Sequence, residues 1–165
     1  MNAVHIHLLL NHFPVIGAVI ALLLLAYAAW RGGAEVLRAT LALYVLVGVV
    51  AVVVYLTGEP TEEAVERLPG ISESLMERHE TAALFATIAL GVAGVLALVA
   101  LLVQRKHVLP PWVTRGGLVV GIGLVALIGY TANLGGRIRH TEIDGAPAAS
   151  TQPAGGLEQG EKDDD

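Results

Sequence analysis

Cysteine is absent from this chain. That absence removes disulfides, thiolate metal sites, iron–sulfur clusters and covalently attached c-type haem, so any metal must be held by imidazole, carboxylate or amide groups. Charge is scarce as well: 15% of the 165 residues are charged, whereas 55% are hydrophobic. A mean hydropathy of +0.66 is too apolar for an ordinary water-soluble domain of this length. The formal charge of -5 comes largely from one acidic loop and an acidic tail, and nothing forms the basic stripe that nucleic acid requires. Neither a Ser, His, Asp arrangement nor a phosphate-cradling glycine loop is evident, so hydrolysis and nucleotide binding have no support.

What is present is long apolar runs. A helix needs about 20 mostly apolar residues to cross a bilayer of about 30 Å, and four segments qualify, at about 13–30, 37–56, 81–103 and 113–134. The expected fold is all-α: an integral membrane four-helix up-down bundle over 1–140, followed by a disordered acidic C-terminal tail over 141–165. Ala26, Tyr27 and Ala28 have the small-x-small form of a signal-peptide cleavage site. No Lys or Arg precedes that run and a second span follows closely, so the first helix is expected to stay. Arg31, Arg38, Arg105, Lys106 and Arg115 favour the first and third loops in the cytoplasm and both termini on the periplasmic side, against Arg67, Arg78, Arg137 and Arg139. Trp30 and Trp112 fall on one side as interfacial anchors.

An up-down bundle gathers the starts of helices one and three and the ends of two and four on a single side. His5, His7, His12, Glu59, His79, Glu80, Asn133 and His140 all collect there, leaving His107 alone on the other. The second loop, 57–80, carries seven glutamates against two arginines. It reads either as a solvated face or as a docking surface for a basic partner such as a soluble cytochrome. Pro60 with Glu62 and Glu63 suits the first turn of a short helix that Leu68, Pro69 and Gly70 would end. Ser74 followed by Glu77 has the form of a capping box, which predicts a helix start near Ser74. Gly117 and Gly121 form a small-xxx-small helix contact. In the search for internal repeats each helix pair shows a polar loop but no matching motifs.

The histidines carry the candidate chemistry. His5 and His12 are seven residues apart, close to two turns, and share a face if the helix begins before His5. Pro14 either interrupts that helix, removing the bond to the carbonyl of Leu10, or opens a new one. His12 and His79 lie at matching depth on helices one and three. Neutral imidazole is the usual axial ligand of b-type haem and a common one for copper or zinc. Ala82, Ala83, Ala86, Gly17 and Ala18 leave room for a flat macrocycle, or equally for close helix packing. Asn11 adjoins His12 and Glu80 adjoins His79, where each is placed to support a ligand or to be one. Asn133, Arg137 and His140 share a face near the end of helix four; Arg137 suits a haem propionate, the acidic loop, or simply a basic helix end.

Asn11, His12, Phe13 and Pro14, the turn Thr57, Gly58, Glu59 and Pro60, and His79 with Glu80 together resemble an uncharacterised bacterial family of small four-helix inner-membrane proteins. That family has a His-Phe-Pro start to helix one, a Thr-Gly at the end of helix two and a His opening helix three. More loosely, the arrangement is similar to haem-bearing bundles of the cytochrome b561 type. The resemblance covers about Val4 to His140 and implies His12 and His79 as the ligand pair; His5, His7 and His140 have no firm counterpart. The resulting expectation is haem b held by His12 and His79 for electron transfer in a bacterial inner membrane, rather than a stand-alone catalyst. Two alternatives stand beside it. One is a copper or zinc site built from His5, His7, His12 and His79 with Glu80 or His140. The other is a cofactor-free accessory subunit of a larger respiratory or transport complex, or a homo-oligomer.

Overall fold

The computed structural model describes residues 2–66, 71–104 and 108–140. Its elements are all helical: α1 (Ala3–Leu10), α2 (His12–Arg31), α3 (Ala34–Leu56), α4 (Glu59–Glu66), α5 (Glu73–Gln104) and α6 (Pro111–Arg139). There is no strand among the described residues. The tail from Thr141, His107, and the expected stop at Leu68 to Gly70 lie outside them.

Four stretches are long and apolar enough to cross a membrane: Ala3–Arg31, Ala34–Leu56, Glu73–Gln104 and Pro111–Ile138. The first is α1 and α2 nearly end to end. Asn2 starts it, its side chain accepting the N–H of His5 at 2.9 Å, as an N-cap should. The break at Asn11 has a covalent cause, because Pro14 has no N–H to offer the carbonyl of Leu10. Asn11 itself remains right-handed helical, with φ −58° and ψ −28°, so Pro14 interrupts one helix and does not open a separate one. Gly32 and Gly33, at φ 69° and 139°, make the reversal into α3 with backbone angles that side chains disfavour. Pro60 lies in the first turn of α4, as expected. Helix α5 begins at Glu73, one residue before Ser74. Ser74 therefore sits inside the first turn, and the carbonyl that accepts from Leu75 and Met76, both at 3.1 Å, is that of Ser72. The expected capping box is replaced by this arrangement.

The spans form a ring in which α2 touches α3 and α6, and α5 touches the same two. Inside, small side chains alternate with large ones: Ala18, Ala21, Ala51, Ala82, Ala86 and Ala97 are buried beside Leu25, Tyr44, Leu90, Leu124 and Leu134. Large apolar side chains such as Leu23, Phe85, Val95, Leu96 and Val119 point outward. Large apolar side chains on the outside suit a bilayer, where lipid solvates leucine as well as protein does, and the buried alanines let backbones gain by close approach. The tightest seam joins α3 to α5. A Cβ on Gly48 would stand 2.8 Å from the Leu90 carbonyl oxygen, and one on Gly94 would stand 3.2 Å from that of Tyr44. The buried threonine hydroxyls turn back onto their own helices, Thr40 donating to Val36 O at 2.8 Å and Thr131 to Leu127 O at 3.0 Å; the buried Tyr44 hydroxyl has no partner among the described residues.

Matching motifs, absent from the sequence reading, emerge once the helices are packed. Hairpin one (α1 to α3) and hairpin two (α5 and α6) can be laid in a common register that matches them at several positions. His7 corresponds to His79, and the two phenylalanines of the chain, Phe13 and Phe85, each follow six residues later. In this register Pro14 and Ala86, Ala18 and Leu90, and Leu25 and Ala97 are buried as pairs. On the second helices Tyr44 and Gly121, Val47 and Leu124, and Ala51 and Ile128 are buried likewise.

Candidate functional site

The repeat builds one polar anchor twice. In hairpin two the Nδ1 of His79 lies 3.0 Å from the carbonyl oxygen of Thr131 on α6. In hairpin one the Nδ1 of His7 lies 3.0 Å from the carbonyl oxygen of Val54 on α3. Val54 and Thr131 are equivalent positions. A carbonyl only accepts, so each Nδ1 carries the proton and each Nε2 is left as the basic nitrogen. Four residues after each carbonyl stands a glycine against the ring: Gly58, whose Cβ would be 3.8 Å from His7 Cε1, and Gly135, whose Cβ would be 2.9 Å from His79 Cε1. Gly135 is thus the floor on which the His79 ring rests. His7 has one addition, the hydroxyl of Thr57 at 3.5 Å from Nδ1, although that hydroxyl also faces the carbonyls of Val53 and Val54 at 2.9 and 3.0 Å.

The two anchors share one end of the bundle, and His7 is close enough for its charge to act on His79. Helix α1, which carries His7, packs mainly on α3 and α4. Glu62 on α4 meets the same end. Burial, then the charges of Glu80, Glu66 and Glu59, push its carboxyl above the usual range.

The structure redistributes the sequence candidates. His5 and His12 do share a face, and that face is exposed in both. His12 is exposed, whereas His7 is partly buried and within electrostatic reach of His79. The seven-residue period correctly paired His5 with His12 but could not tell which face looks inward. Asn11 is partly buried, and its Oδ1 is buried with no partner among the described residues. Glu80 is exposed on α5, within electrostatic reach of Glu62. Arg137 and His140 lie at the end of α6 and both take part in interactions there; Asn133 is exposed. Among the described residues no three His, Cys, Asp or Glu side chains converge as a bare metal ion would need. The signal that would have found His7 was available: the paired spacing of His to Phe, in a chain with only two phenylalanines.

No family model matches the chain, and neither a curated protein nor a solved structure matches it.

Proposed function

We propose that this chain is a multi-pass protein of a bacterial inner membrane that holds b-type haem for electron transfer, with His7 and His79 as the two axial ligands. The observation that carries the proposal is the pair of equivalent imidazoles whose Nδ1–H groups are tied to the carbonyls of Val54 and Thr131 at 3.0 Å. Such ties fix ring direction and raise the basicity of Nε2, which is what a ligating histidine needs from its surroundings. The donor set fits haem b, which takes two imidazoles, better than a bare copper or zinc ion, which takes three or four ligands. Asn11 would add a buried acceptor beside the site, and Arg137 a cation toward a propionate. The bound group would supply one-electron chemistry between two oxidation states of iron, while the surrounding bundle excludes water and helps set the potential. The acidic α4 and the start of α5 offer a docking face for a basic redox partner. Lys and Arg placement favours this end on the periplasmic side.

The test is an oxidised and a dithionite-reduced absorbance spectrum of the full chain purified in mild detergent. A Soret band is expected in the parent protein and in His12→Ala, and its loss in His7→Ala and in His79→Ala. A folded protein without the band that also takes up no haemin on titration would overturn the proposal. If that colourless protein travels with other subunits, the accessory-subunit reading replaces it.

A further inference from the structure

On the outer face of hairpin two, a groove of about 430 Å³ runs between α5 and α6, lined by Glu77, Arg78, Thr81, Ala82, Phe85, Leu127 and Tyr130. Neither His7 nor His79 lines it. Its upper rim is polar and its floor apolar. The guanidinium of Arg78 donates to the hydroxyl of Tyr130 at 3.3 Å, bridging the two helices. Glu77, next in sequence, makes no ion pair with Arg78: among the described residues the ion pair is Arg38 with Glu35. Both side chains are exposed on the rim, so their charges are accessible to a ligand. Below them, about two helical turns along α5 from Glu77, Phe85 is 60% exposed.

The repeat supplies a control for whether the fold itself requires this rim. In hairpin one the positions of Arg78, Thr81 and Tyr130 are held by Ile6, Leu9 and Val53, the residues a lipid-facing groove ordinarily has. The position of Glu77 is held by His5, also polar and exposed; at the other three positions the same backbone accepts apolar side chains, so packing alone does not require Arg78, Thr81 and Tyr130.

We propose that this groove is a binding site for one zwitterionic aminophospholipid, with its phosphate on Arg78 and the Tyr130 hydroxyl and its ammonium on Glu77. A guanidinium and a hydroxyl are donors that match phosphate oxygens, a carboxylate matches an ammonium, and an arginine at the headgroup level beside an interfacial tyrosine sits where that headgroup lies. The adjacent opposite charges favour a headgroup carrying both signs over a purely anionic one. The acyl chains lie along Phe85 and Leu127.

The full chain is reconstituted in nanodiscs of equimolar phosphatidylethanolamine and phosphatidylglycerol, released into mild detergent, and the retained lipid is counted by native mass spectrometry. One phosphatidylethanolamine per chain is expected, retained about tenfold over phosphatidylglycerol. Arg78→Gln loses retention of both lipids. Glu77→Gln keeps a bound lipid and shifts the preference to phosphatidylglycerol, a change of choice that misfolding does not produce. Retention of the same lipids in the same amounts by the parent, Arg78→Gln and Glu77→Gln overturns the proposal, as does a parent protein that prefers phosphatidylglycerol or keeps no lipid. Absorbance of the same samples separates this result from the haem proposal, because the variants leave His7 and His79 intact.

Discussion

Hairpin one and hairpin two place the same ring on the same backbone acceptor and differ in nearly everything around it. His7 rides on an eight-residue helix cut from its continuation at Asn11. His79 rides on a continuous helix of 32 residues. A Cβ on Gly58 would meet His7 at an ordinary 3.8 Å, whereas one on Gly135 would stand only 2.9 Å from His79. One anchor is therefore mounted on a short helix that ends at Asn11, the other on a long uninterrupted one. The pair teaches that the repeated element is the tie from imidazole to carbonyl and that each half has specialised the rest, hairpin two in its lipid-facing rim and hairpin one in its proline break.

The largest way to break the comparison is at the seams. Gly48 of hairpin one corresponds to Val125 of hairpin two, so Gly48→Val installs the repeat's own residue. It is nonetheless expected to be severe. Gly48 faces the Leu90 carbonyl and the Gly94 Cα at 2.8 and 3.4 Å from an added Cβ, and backbone cannot turn aside as a side chain can. The seam across the ring, α6 on α2, has Gly121 against the flexible end of Leu22 at 3.0 Å and the Tyr44 hydroxyl at 2.7 Å. Gly48→Val should cost about 3 kcal/mol or more and Gly121→Ala about 1 kcal/mol, both by the overpacking rule. Unfolding in detergent followed by circular dichroism measures both; equal effects would mean that the two seams are alike.

How much of this was legible beforehand follows from the same contrast. The four spans were plain because lipid demands long apolar runs, but their ends were set too short. Helix α1 starts at Ala3, well ahead of the expected span, whereas α5 starts at Glu73, one residue from the start expected near Ser74; backbone hydrogen bonding carries a helix on through polar turns that a hydropathy window excludes. The gathering of His7, His79, Glu59 and Glu80 at one end followed from topology alone. The choice among histidines did not. Leu8 and Leu9 beside His7 are 60% and 68% exposed, so the leading helix is apolar on its outer side too, and a segment apolar all round gives no inward face to read. The repeat was hidden for a related reason: its matches are buried positions filled by different residues, Ala18 against Leu90 and Tyr44 against Gly121, which packing equates and composition does not.

A finer test sits under the rings. Gly135→Ala places a methyl 2.9 Å from His79 Cε1 and 3.3 Å from Nδ1, so the ring must tilt and its bond to Thr131 must lengthen or break. Gly58→Ala meets His7 only at 3.8 Å, its nearer contact being the Tyr55 carbonyl at 3.1 Å within its own turn. The expected costs in stability are about 2 kcal/mol for Gly135→Ala and about 0.5 kcal/mol for Gly58→Ala. If the haem proposal holds, Gly135→Ala also moves the reduction potential while Gly58→Ala leaves it in place. A shift of equal size in both variants would show that the two rings are held with equal tightness.

The smallest effect belongs to the acidic connector between the hairpins. Glu62 on α4 has its carboxyl pushed above the usual range first by burial and then by Glu80 on α5 and by Glu66 and Glu59 on α4 itself. The raised value means that the folded chain binds the proton more tightly than the unfolded one. Its contribution to stability is therefore complete below the ordinary carboxylate range and is lost as pH rises through the raised value. At neutral pH the ionised Glu62 works against the fold. Glu62→Gln should accordingly raise the melting temperature near neutral pH, and the gain should fade as the pH is brought below about 4, where the carboxyl of the parent protein is protonated as well. Glu63→Gln, at an exposed neighbour on the same helix, controls for the removal of one negative charge. Added salt should shrink the gain, since part of it is repulsion from Glu80, Glu66 and Glu59 across partly hydrated space. A gain for Glu62→Gln that is the same at every pH would place its origin in packing, and the first hairpin's connector would then hold its acids without mutual strain.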